Sequence, residues 1–177
     1  DEEGELADIW YWKSVRDVNQ VDDQYLDSTR YSADTPGAGR HGDPKDGGGY
    51  VNNQNEDNTL PMYMGPEGYP VDGSPGYIMD GEQLPFDDSL FVAGDMIPGI
   101  VKAAFEGDRG DISGGWAWVD GVWTLEIGRA LETGSDYDVQ YNDLTVPYYF
   151  GVAIFENAQV RHAYQYGVNE LIFTPAE

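Results

Sequence analysis

Apolar and aromatic residues along this chain occur in short runs that glycine, proline and aspartate interrupt, and helical periodicity is nearly absent. Runs of this length and composition are typical of β-strands. The clearest element is a hairpin in which residues 115–119 and 122–127 flank Asp120-Gly121, a pair that type I′ turns favour. The remaining strands are expected at residues 7–15, 77–79, 97–105, 147–155 and 171–173.

The segment from Asp17 to about Gly76 lacks a strand pattern and is rich in glycine, aspartate, asparagine and proline. A structureless stretch of that length is unusual in a compact domain. We therefore expect a cover over a site, a surface for a neighbouring subunit, or a loop stiffened by a metal. With about seven or eight strands outside it, the pattern predicts an all-β fold: an antiparallel β-sandwich with long irregular loops, forming a single domain over residues 1–177.

Acidic residues dominate the charge, since 33 acidic and nine basic residues give a formal net charge of −24. A charge of that sign repels nucleic acid and anionic membrane surfaces, so neither is expected as a partner. The acids are dispersed, which predicts a hydrated surface and suits a habitat of high salt. No apolar run approaches the length of a membrane span, and the acidic start is unlike a signal peptide. The chain is therefore expected to be soluble, without membrane insertion.

The absence of cysteine narrows the metal chemistry open to this chain. Without thiols it has no disulfide, no Fe–S cluster and no thiolate zinc site. It also cannot attach a haem covalently through a Cys-x-x-Cys-His motif of its own. Imidazole ligands can come only from its two histidines, His41 and His162.

His162 follows a run at residues 147–155 that is apolar at nearly every position and is expected to be buried on both faces. Alternation after that run places His162 on the face shared by Val160 and Tyr164, pointing inward or toward a rim. One interpretation is a structural histidine whose ring nitrogens meet the backbone or a tyrosine hydroxyl. The other is an axial metal ligand, because neutral imidazole is a common ligand. Position alone leaves both open.

Six separated segments carry a resemblance to a known family. They are Asp8-Ile9-Trp10-Tyr11-Trp12-Lys13, Val21-Asp22-Asp23-Gln24-Tyr25, Gly47-Gly48-Gly49-Tyr50, Gly107-Asp108-Arg109-Gly110-Asp111-Ile112, residues 123–131 and residues 150–163. Together they resemble the ethylbenzene-dehydrogenase-type haem-binding domain. That domain is similar to the γ subunits of ethylbenzene dehydrogenase and related molybdenum enzymes of the dimethyl-sulfoxide-reductase family, and it also occurs in multihaem respiratory cytochromes.

The resemblance implies a β-sandwich that holds one haem near its edge and passes electrons. In the γ subunits a methionine and a lysine hold the haem iron, and the lysine lies just beyond the strand that resembles residues 148–155. This chain has Arg161 and His162 in that region and no lysine. The resemblance therefore implies His162 as the replacement ligand, because arginine keeps its proton.

The opposite axial ligand has no direct counterpart. In the γ subunits the methionine comes from before the Trp-x-Trp-Lys element, and this chain starts only a few residues before that element. Among the residues present, Met64 is our candidate, ahead of Met62, Met79 and His41, although most methionines are packing residues. The chain is also interpretable as the C-terminal part of a larger haem-binding unit. Haem bound by this chain alone would be b-type; covalent c-type haem would need a missing segment or another chain.

Further side chains have two interpretations each. The aromatic residues that would either wall a porphyrin or form the core are Trp10, Trp12, Tyr148 and Tyr164. The arginines that would pair either with a haem propionate or with a neighbouring aspartate are Arg109, Arg129 and Arg161. Loop aspartates and asparagines, among them Asp43, Asp46, Asp108 and Asp111, offer oxygen ligands suited to calcium. Their spacing matches no EF-hand, and a solvated loop is the simpler interpretation.

We therefore expect an electron-transfer haem-binding domain or subunit of a respiratory redox complex that is not itself an enzyme. Its expected partners are molybdenum-enzyme subunits or other cytochromes, in a periplasmic or extracellular location. Two other classes stay open. One is a carbohydrate- or ligand-binding β-sandwich module, which exposed coplanar tryptophans would favour. The other is a haem-less structural subunit that serves for docking.

Overall fold

The computed structural model describes residues 5–28, 34, 39–66, 76–156 and 162–174. Strands dominate these residues, with short 3-10 turns at Asp88–Leu90 and Asp108–Gly110. The strands are β1 (Ala7–Tyr11), β2 (Asp22–Leu26), β3 (Arg40–Gly42), β4 (Gly47–Asn52), β5 (Tyr63–Met64), β6 (Tyr77–Met79), β7 (Leu84–Pro85), β8 (Ile100–Glu106), β9 (Ser113–Val119), β10 (Val122–Gly128), β11 (Tyr148–Phe150), β12 (Ala153–Ile154), β13 (Ala163–Tyr164) and β14 (Asn169–Leu171). No helix within the described ranges is long and apolar enough to cross a bilayer.

The strands fall into two compact units, Asp1–Val139 and Gln140–Glu177. In the first unit the sheets are β1-β2-β3, β4-β8-β6, the β9-β10 hairpin and the β5-β7 pair. Pairing is antiparallel throughout this unit except between β6 and β8, which run parallel. The prediction of an all-β fold is confirmed. The fourteen strands in the described part of the chain exceed the seven or eight expected.

A small apolar core lies in the first unit, between β2, β6 and β8. Its buried hydrophobic side chains are Val21, Met64, Ile78, Val101, Phe105 and Ile112. The side chain of Gln20 ties this core to β8: its amide nitrogen donates to the carbonyls of Phe105 and Gly110, at 3.1 and 2.9 Å, and its amide oxygen accepts from Phe105 N at 2.8 Å. Buried polar groups thus share the interior with apolar ones.

The predicted hairpin is confirmed in position and in turn type. Val122 pairs with Val119, and the intervening Asp120 and Gly121 both have positive φ, at 51° and 82°. Two positive φ values are what a type I′ turn requires, and glycine adopts them without steric cost. The side chains of β10 are exposed along its whole length.

The prediction that residues 17–76 lack strands is wrong, because β2, β3, β4 and β5 all lie there. Two features of the sequence explain why these strands were not predicted. β2 reads Asp-Asp-Gln-Tyr-Leu, so its buried positions carry polar side chains instead of apolar ones. β4 opens with three glycines, and its register against β8 shifts between Gly47 and Gly49. Gly48, at φ +70°, sits so close to β8 that a Cβ there would lie 1.6 Å from Ala104 O.

In the second unit β11 pairs with β14 and β12 with β13, both antiparallel. The prediction of one strand at residues 147–155, buried on both faces, is wrong. The run is broken at Gly151 and Val152, and its side chains are largely exposed, with Tyr149 and Ile154 each at 63%. The closing strand is confirmed in existence, but it lies at Asn169–Leu171, two residues earlier than expected.

Candidate functional site

His162 directly precedes β13 in the second unit and is exposed. Its ring contacts two aromatic rings: Phe155, at a centroid distance of 4.6 Å with planes tilted by 38°, and Tyr164, at 6.2 Å. No hydrogen bond joins it to another described residue, and its role as a metal ligand stays a prediction. The imidazole lies beside the rings of Phe155 and Tyr164.

Tyr164 and Tyr148 also belong to the second unit but have different surroundings. Tyr164 is 69% exposed, whereas Tyr148 packs edge-on against Tyr141 and Phe173, with centroids at 4.8 and 6.1 Å. Tyr148 therefore has a packing role in its unit, and Tyr164 offers free ring surface near His162. Arg161 lies outside the described residues.

Met64 lies in β5 of the first unit and is 9% exposed. Asn53 fixes the backbone beside it: its side-chain nitrogen donates to the carbonyls of Tyr63 and Pro98, both at 2.8 Å, and its oxygen accepts from Tyr63 N at 2.9 Å. Met62, by contrast, is exposed. The surroundings of Met64 are those of a core side chain, and its role as an iron ligand stays a prediction.

Trp10 lies in β1, and Trp12 lies directly after the residue that ends this strand. Trp10 stacks on a guanidinium, with Arg129 Cζ 4.9 Å from its ring centroid. Trp12 meets Trp116 and Trp123 edge-on, at centroid distances of 5.4 and 5.2 Å. Both rings therefore have protein partners. Trp118 and Trp123 are exposed but tilted by 48° to each other, so they do not form the coplanar pair expected of a sugar platform.

Arginines pair with aspartates in the first unit, as one of the two interpretations held. Arg109 makes a two-pronged contact with Asp22, from Nε to Oδ1 at 2.6 Å and from Nη2 to Oδ2 at 3.0 Å. This planar fork is the strong form of a guanidinium–carboxylate pair. Asp22 lies in β2 and Arg109 in a 3-10 turn, so the pair fastens that turn to the first sheet.

One face of the β1-β2-β3 sheet concentrates carboxylates. Trp10 of β1 is the register partner of Asp23 of β2, and Asp43 N donates to Asp23 O at 3.1 Å just beyond β3. Side chains directly opposite each other on neighbouring strands lie on the same face. Asp8, two residues before Trp10, shares this face because strand side chains alternate. The face thus carries Asp8, Asp23 and Asp43 beside one tryptophan.

Arg129 lies at the centre of these acids, together with Asp138 from the segment that follows it. Its Nη1 is 2.7 Å from Asp8 Oδ2, 3.3 Å from Asp138 Oδ1 and 3.6 Å from Asp23 Oδ2. Its side chain and that of Asp23 are both 0% exposed. One carboxylate oxygen from each of Asp8, Asp23 and Asp138 lies within 4.8 Å of the others. We call the set of Asp8, Asp23, Asp43, Arg129 and Asp138 the acid cluster.

Titration in the acid cluster is strongly perturbed. Burial, together with the nearby carboxylates of Asp138 and Asp8 and a hydrogen bond to the Asp111 side chain, raises the pKa of Asp23 to about 9. Burial also raises the pKa of Asp43 to about 7, again with help from Asp138 and Asp8. Both effects disfavour the charged form, the first by low polarity and the second by like charge. At neutral pH without a bound cation, Asp23 therefore carries a proton.

Sequence reasoning missed the acid cluster, since it assigned the acids to a hydrated surface. That assignment is wrong for Asp23 and Asp43, which are 0% and 3% exposed. A usable signal existed in β2, where Asp22-Asp23-Gln24 lies between the apolar residues Val21 and Tyr25-Leu26. The few arginines of this acidic chain were a second signal, because a buried arginine pairs with carboxylates.

Lys102 is a further buried charge, and no pattern along the chain predicts it. It lies in β8, 4% exposed, and its ammonium donates to the carbonyls of Val15 and Asp17 at 2.8 and 2.9 Å. The same group lies 3.6 Å from the ring centroid of Tyr77. Burial lowers the pKa of Lys102, opposed by the nearby Asp17 carboxylate. Its contacts satisfy the ammonium, which indicates a structural role.

Comparison with known proteins gives one match. The family model described as ethylbenzene dehydrogenase matches residues 1–167. No curated protein and no solved structure shows a significant match. The matched range takes in all six segments that carried the resemblance and most of the chain. The chain therefore belongs to the ethylbenzene dehydrogenase family, which associates it with the subunits of molybdenum-enzyme oxidoreductase complexes.

Proposed function

We propose that this chain is a haem-binding electron-transfer domain or subunit of a respiratory oxidoreductase complex and does not itself transform a substrate. The observation that carries the proposal is the family match over residues 1–167. The partners we propose are a molybdenum-enzyme core or other cytochromes, outside the cytoplasm. Electrons would pass through the haem, while the protein sets its position, burial and potential.

His162 fits the role of an axial ligand. Its ring is exposed and its contacts among the described residues are to Phe155 and Tyr164, so its nitrogens are not taken up by hydrogen bonds there. A neutral imidazole offers a lone pair, and the adjacent rings offer apolar surface for a porphyrin face. When bound, haem would supply a one-electron redox centre; the chain would hold it and keep water from it.

The second unit exposes many large apolar side chains for its length. Among the described residues they are Leu144, Val146, Tyr149, Phe150, Val152, Ile154, Phe155, Tyr164, Tyr166, Val168 and Ile172. Soluble proteins rarely leave large apolar patches open to water without a function. This composition supports a unit that covers a flat apolar cofactor or is covered by a neighbouring subunit.

Met64 remains our candidate for the opposite ligand, with Met62 as the exposed alternative from the same strand region. A thioether is a known partner for haem iron and raises its potential. Arg161 remains proposed as the partner of a haem propionate, because a guanidinium binds carboxylates with two parallel hydrogen bonds. Trp10 and Trp12 are weaker candidates for the haem wall, since Arg129 and other tryptophans already contact them.

The test is a pyridine haemochrome assay and an absorption spectrum of the purified full chain, before and after addition of haem. His162→Ala should lose the six-coordinate low-spin spectrum. His41→Ala is the matched control, since it removes the other histidine, whose Nε2 lies 3.4 Å from Asp27. Met64→Leu should alter the spectrum more than Met62→Leu if Met64 supplies the second ligand.

The possible results separate the hypotheses. A low-spin spectrum that His162→Ala leaves unchanged would remove His162 from the site and leave haem binding itself intact. A folded chain that stays colourless after haem addition, yet remains in a stable complex, would contradict haem binding and indicate a docking subunit. Loss of the signal in both histidine variants would indicate His41 as the opposite ligand if circular dichroism shows that both variants are folded, and misfolding if it does not.

A further inference from the structure

We propose that the first unit binds a calcium ion through the carboxylates of Asp23 and Asp43, beside Arg129. The site would lie on the face of the β1-β2-β3 sheet that carries Trp10. This inference does not depend on haem binding, because each of its residues belongs to the first unit and none is a proposed iron ligand.

Two carboxylates of the acid cluster already have donors. Asp8 Oδ2 accepts from Arg129 Nη1 at 2.7 Å and from Val139 N at 3.0 Å. Asp138 Oδ2 accepts from the hydroxyl of Thr133 at 2.5 Å, and Asp138 Oδ1 is 3.3 Å from Arg129 Nη1. The guanidinium is therefore directed mainly at this pair.

Asp23 and Asp43 accept no such hydrogen bonds, although Asp23 shares a side-chain hydrogen bond with Asp111, to which it donates when it is protonated. Both oxygens of each carboxylate are buried and accept no hydrogen bond from the described residues. The Asp23 oxygen nearest to Arg129 is 3.6 Å from Nη1, which is beyond hydrogen-bond distance. A backbone hydrogen bond of 3.1 Å between Asp43 N and Asp23 O places the two residues directly opposite each other. Four buried carboxylate oxygens on one face of the sheet thus accept no hydrogen bond from the described residues.

A buried carboxylate without a partner costs several kcal/mol, so a proton or a cation must compensate this pair. Directly opposed like charges add to that cost. A cation has a specific advantage here, because one ion can bind oxygens of both residues, whereas the proton that Asp23 shares with Asp111 leaves the oxygens of Asp43 without a hydrogen-bond donor. Lys45 and Arg40, the basic residues nearest in sequence to Asp43, are engaged elsewhere: Lys45 Nζ donates to Gly48 O at 2.9 Å, and Arg40 lies over the ring of Tyr11.

The chemistry of these ligands selects a hard cation. All of the candidate ligands are carboxylate oxygens, with no sulfur or imidazole among them, which disfavours zinc and copper. Calcium accepts irregular sets of oxygens from carboxylates, carbonyls and water. Magnesium demands a near-ideal octahedron of ligands and keeps several water molecules. The surroundings of the fully buried Asp23 have little room for them.

Terbium luminescence tests the site directly, because Tb³⁺ replaces calcium and is excited by energy transfer from a nearby tryptophan. Trp10, the register partner of Asp23, is the donor. The haem-free full chain, stripped with EDTA, is titrated with Tb³⁺ and then with Ca²⁺. We expect saturable emission that calcium reverses, and a calcium-dependent rise in the melting temperature.

The variant Asp23→Asn/Asp43→Asn should weaken Tb³⁺ binding more than about tenfold. Replacing a residue that only hydrogen-bonds to a metal ligand already weakens metal affinity by about that factor. The control Asp87→Asn/Asp143→Asn removes the same charge from exposed turns and should bind as the wild type does. Equal binding by both double variants, or no saturable emission from the wild type, overturns the proposal. If Asp23→Asn/Asp43→Asn fails to fold, the wild type's melting temperature decides: no shift with calcium also overturns it.

Discussion

Replacing Arg129 by methionine would remove the cation that lies closest to three of the buried carboxylates. The side chains of Arg129, Asp23 and Asp138 are 0%, 0% and 1% exposed, and that of Asp8 is 6% exposed. Water therefore cannot replace the guanidinium. Methionine fills a similar volume and keeps an apolar contact with Trp10, so the change reports mainly on charge.

The expected loss of stability is about 3–5 kcal/mol, the usual cost of leaving a buried charge without its partner. Protonation of the remaining carboxyls at neutral pH moves the value toward the lower end of that range. For a chain of this size each kcal/mol lowers the melting temperature by about 2–4 °C, so a fall on the order of 10 °C is expected.

The assay is thermal unfolding followed by near-ultraviolet circular dichroism, which reports on tryptophan environments, at fixed salt and with EDTA. Arg109→Met is the matched control, because its side chain is 23% exposed and pairs with one carboxylate. Solvent screens such a pair, so the control should lose clearly less. Melting of Arg129→Met at or above the temperature of Arg109→Met would refute the reasoning, as would recovery of its stability in high salt.

Two other predictions concern stability. With EDTA present, the stability of the wild type should fall between about pH 5 and about pH 9. Asp23 keeps its proton in the folded state up to a pKa of about 9, whereas the unfolded chain releases it near the ordinary 3.8. The slope approaches about 1.4 kcal/mol per pH unit for this one proton, and Asp23→Asn should flatten it, so an equal slope in urea unfolding would contradict the assignment. Gly48→Ala should cost much more than Gly134→Ala, because both have positive φ but a Cβ at residue 48 would lie 1.6 Å from Ala104 O, whereas residue 134 has open space. The control should lose only the left-handed penalty of about 1–2 kcal/mol in urea unfolding, and similar losses would show that β4 moves away from β8 without cost.

Local signals in the sequence predicted the elements that local chemistry determines. The β9-β10 hairpin follows from Asp120-Gly121 and two alternating flanks, and it appears where expected. β6 and the start of β1 were likewise located from short runs of apolar residues. In each case the side chains and the turn specify the strand without distant partners.

Elements that depend on distant partners could not be predicted in this way. β2 presents Asp22 and Asp23, and each is tolerated in a strand because an arginine that comes much later in the sequence lies near it. The prediction for residues 148–155 was wrong in the opposite sense. Their continuous apolar character suggested burial, whereas most of their side chains are exposed. Hydrophobicity alone does not say whether the cover is the same chain, a cofactor or another subunit.

The candidate site likewise has one part that the sequence predicted and one part that it did not. Family resemblance was sufficient to nominate His162, whose role as an iron ligand stays a prediction. The acid cluster could be found only from the three-dimensional structure. Its members come from β1, β2, the end of β3 and the segment after β10, and no rule of sequence spacing connects these places.

The hydrogen bond from Arg129 to Asp8 spans 121 residues of sequence, and this separation has a consequence for folding during synthesis. Short-range pieces such as the β9-β10 hairpin form within microseconds once their residues are available. The first two strands cannot complete their pairing of charges until residue 139 has left the ribosome. We expect the amino-terminal third of the nascent chain to stay loosely ordered throughout that delay and to be the region that proteases cut and chaperones hold.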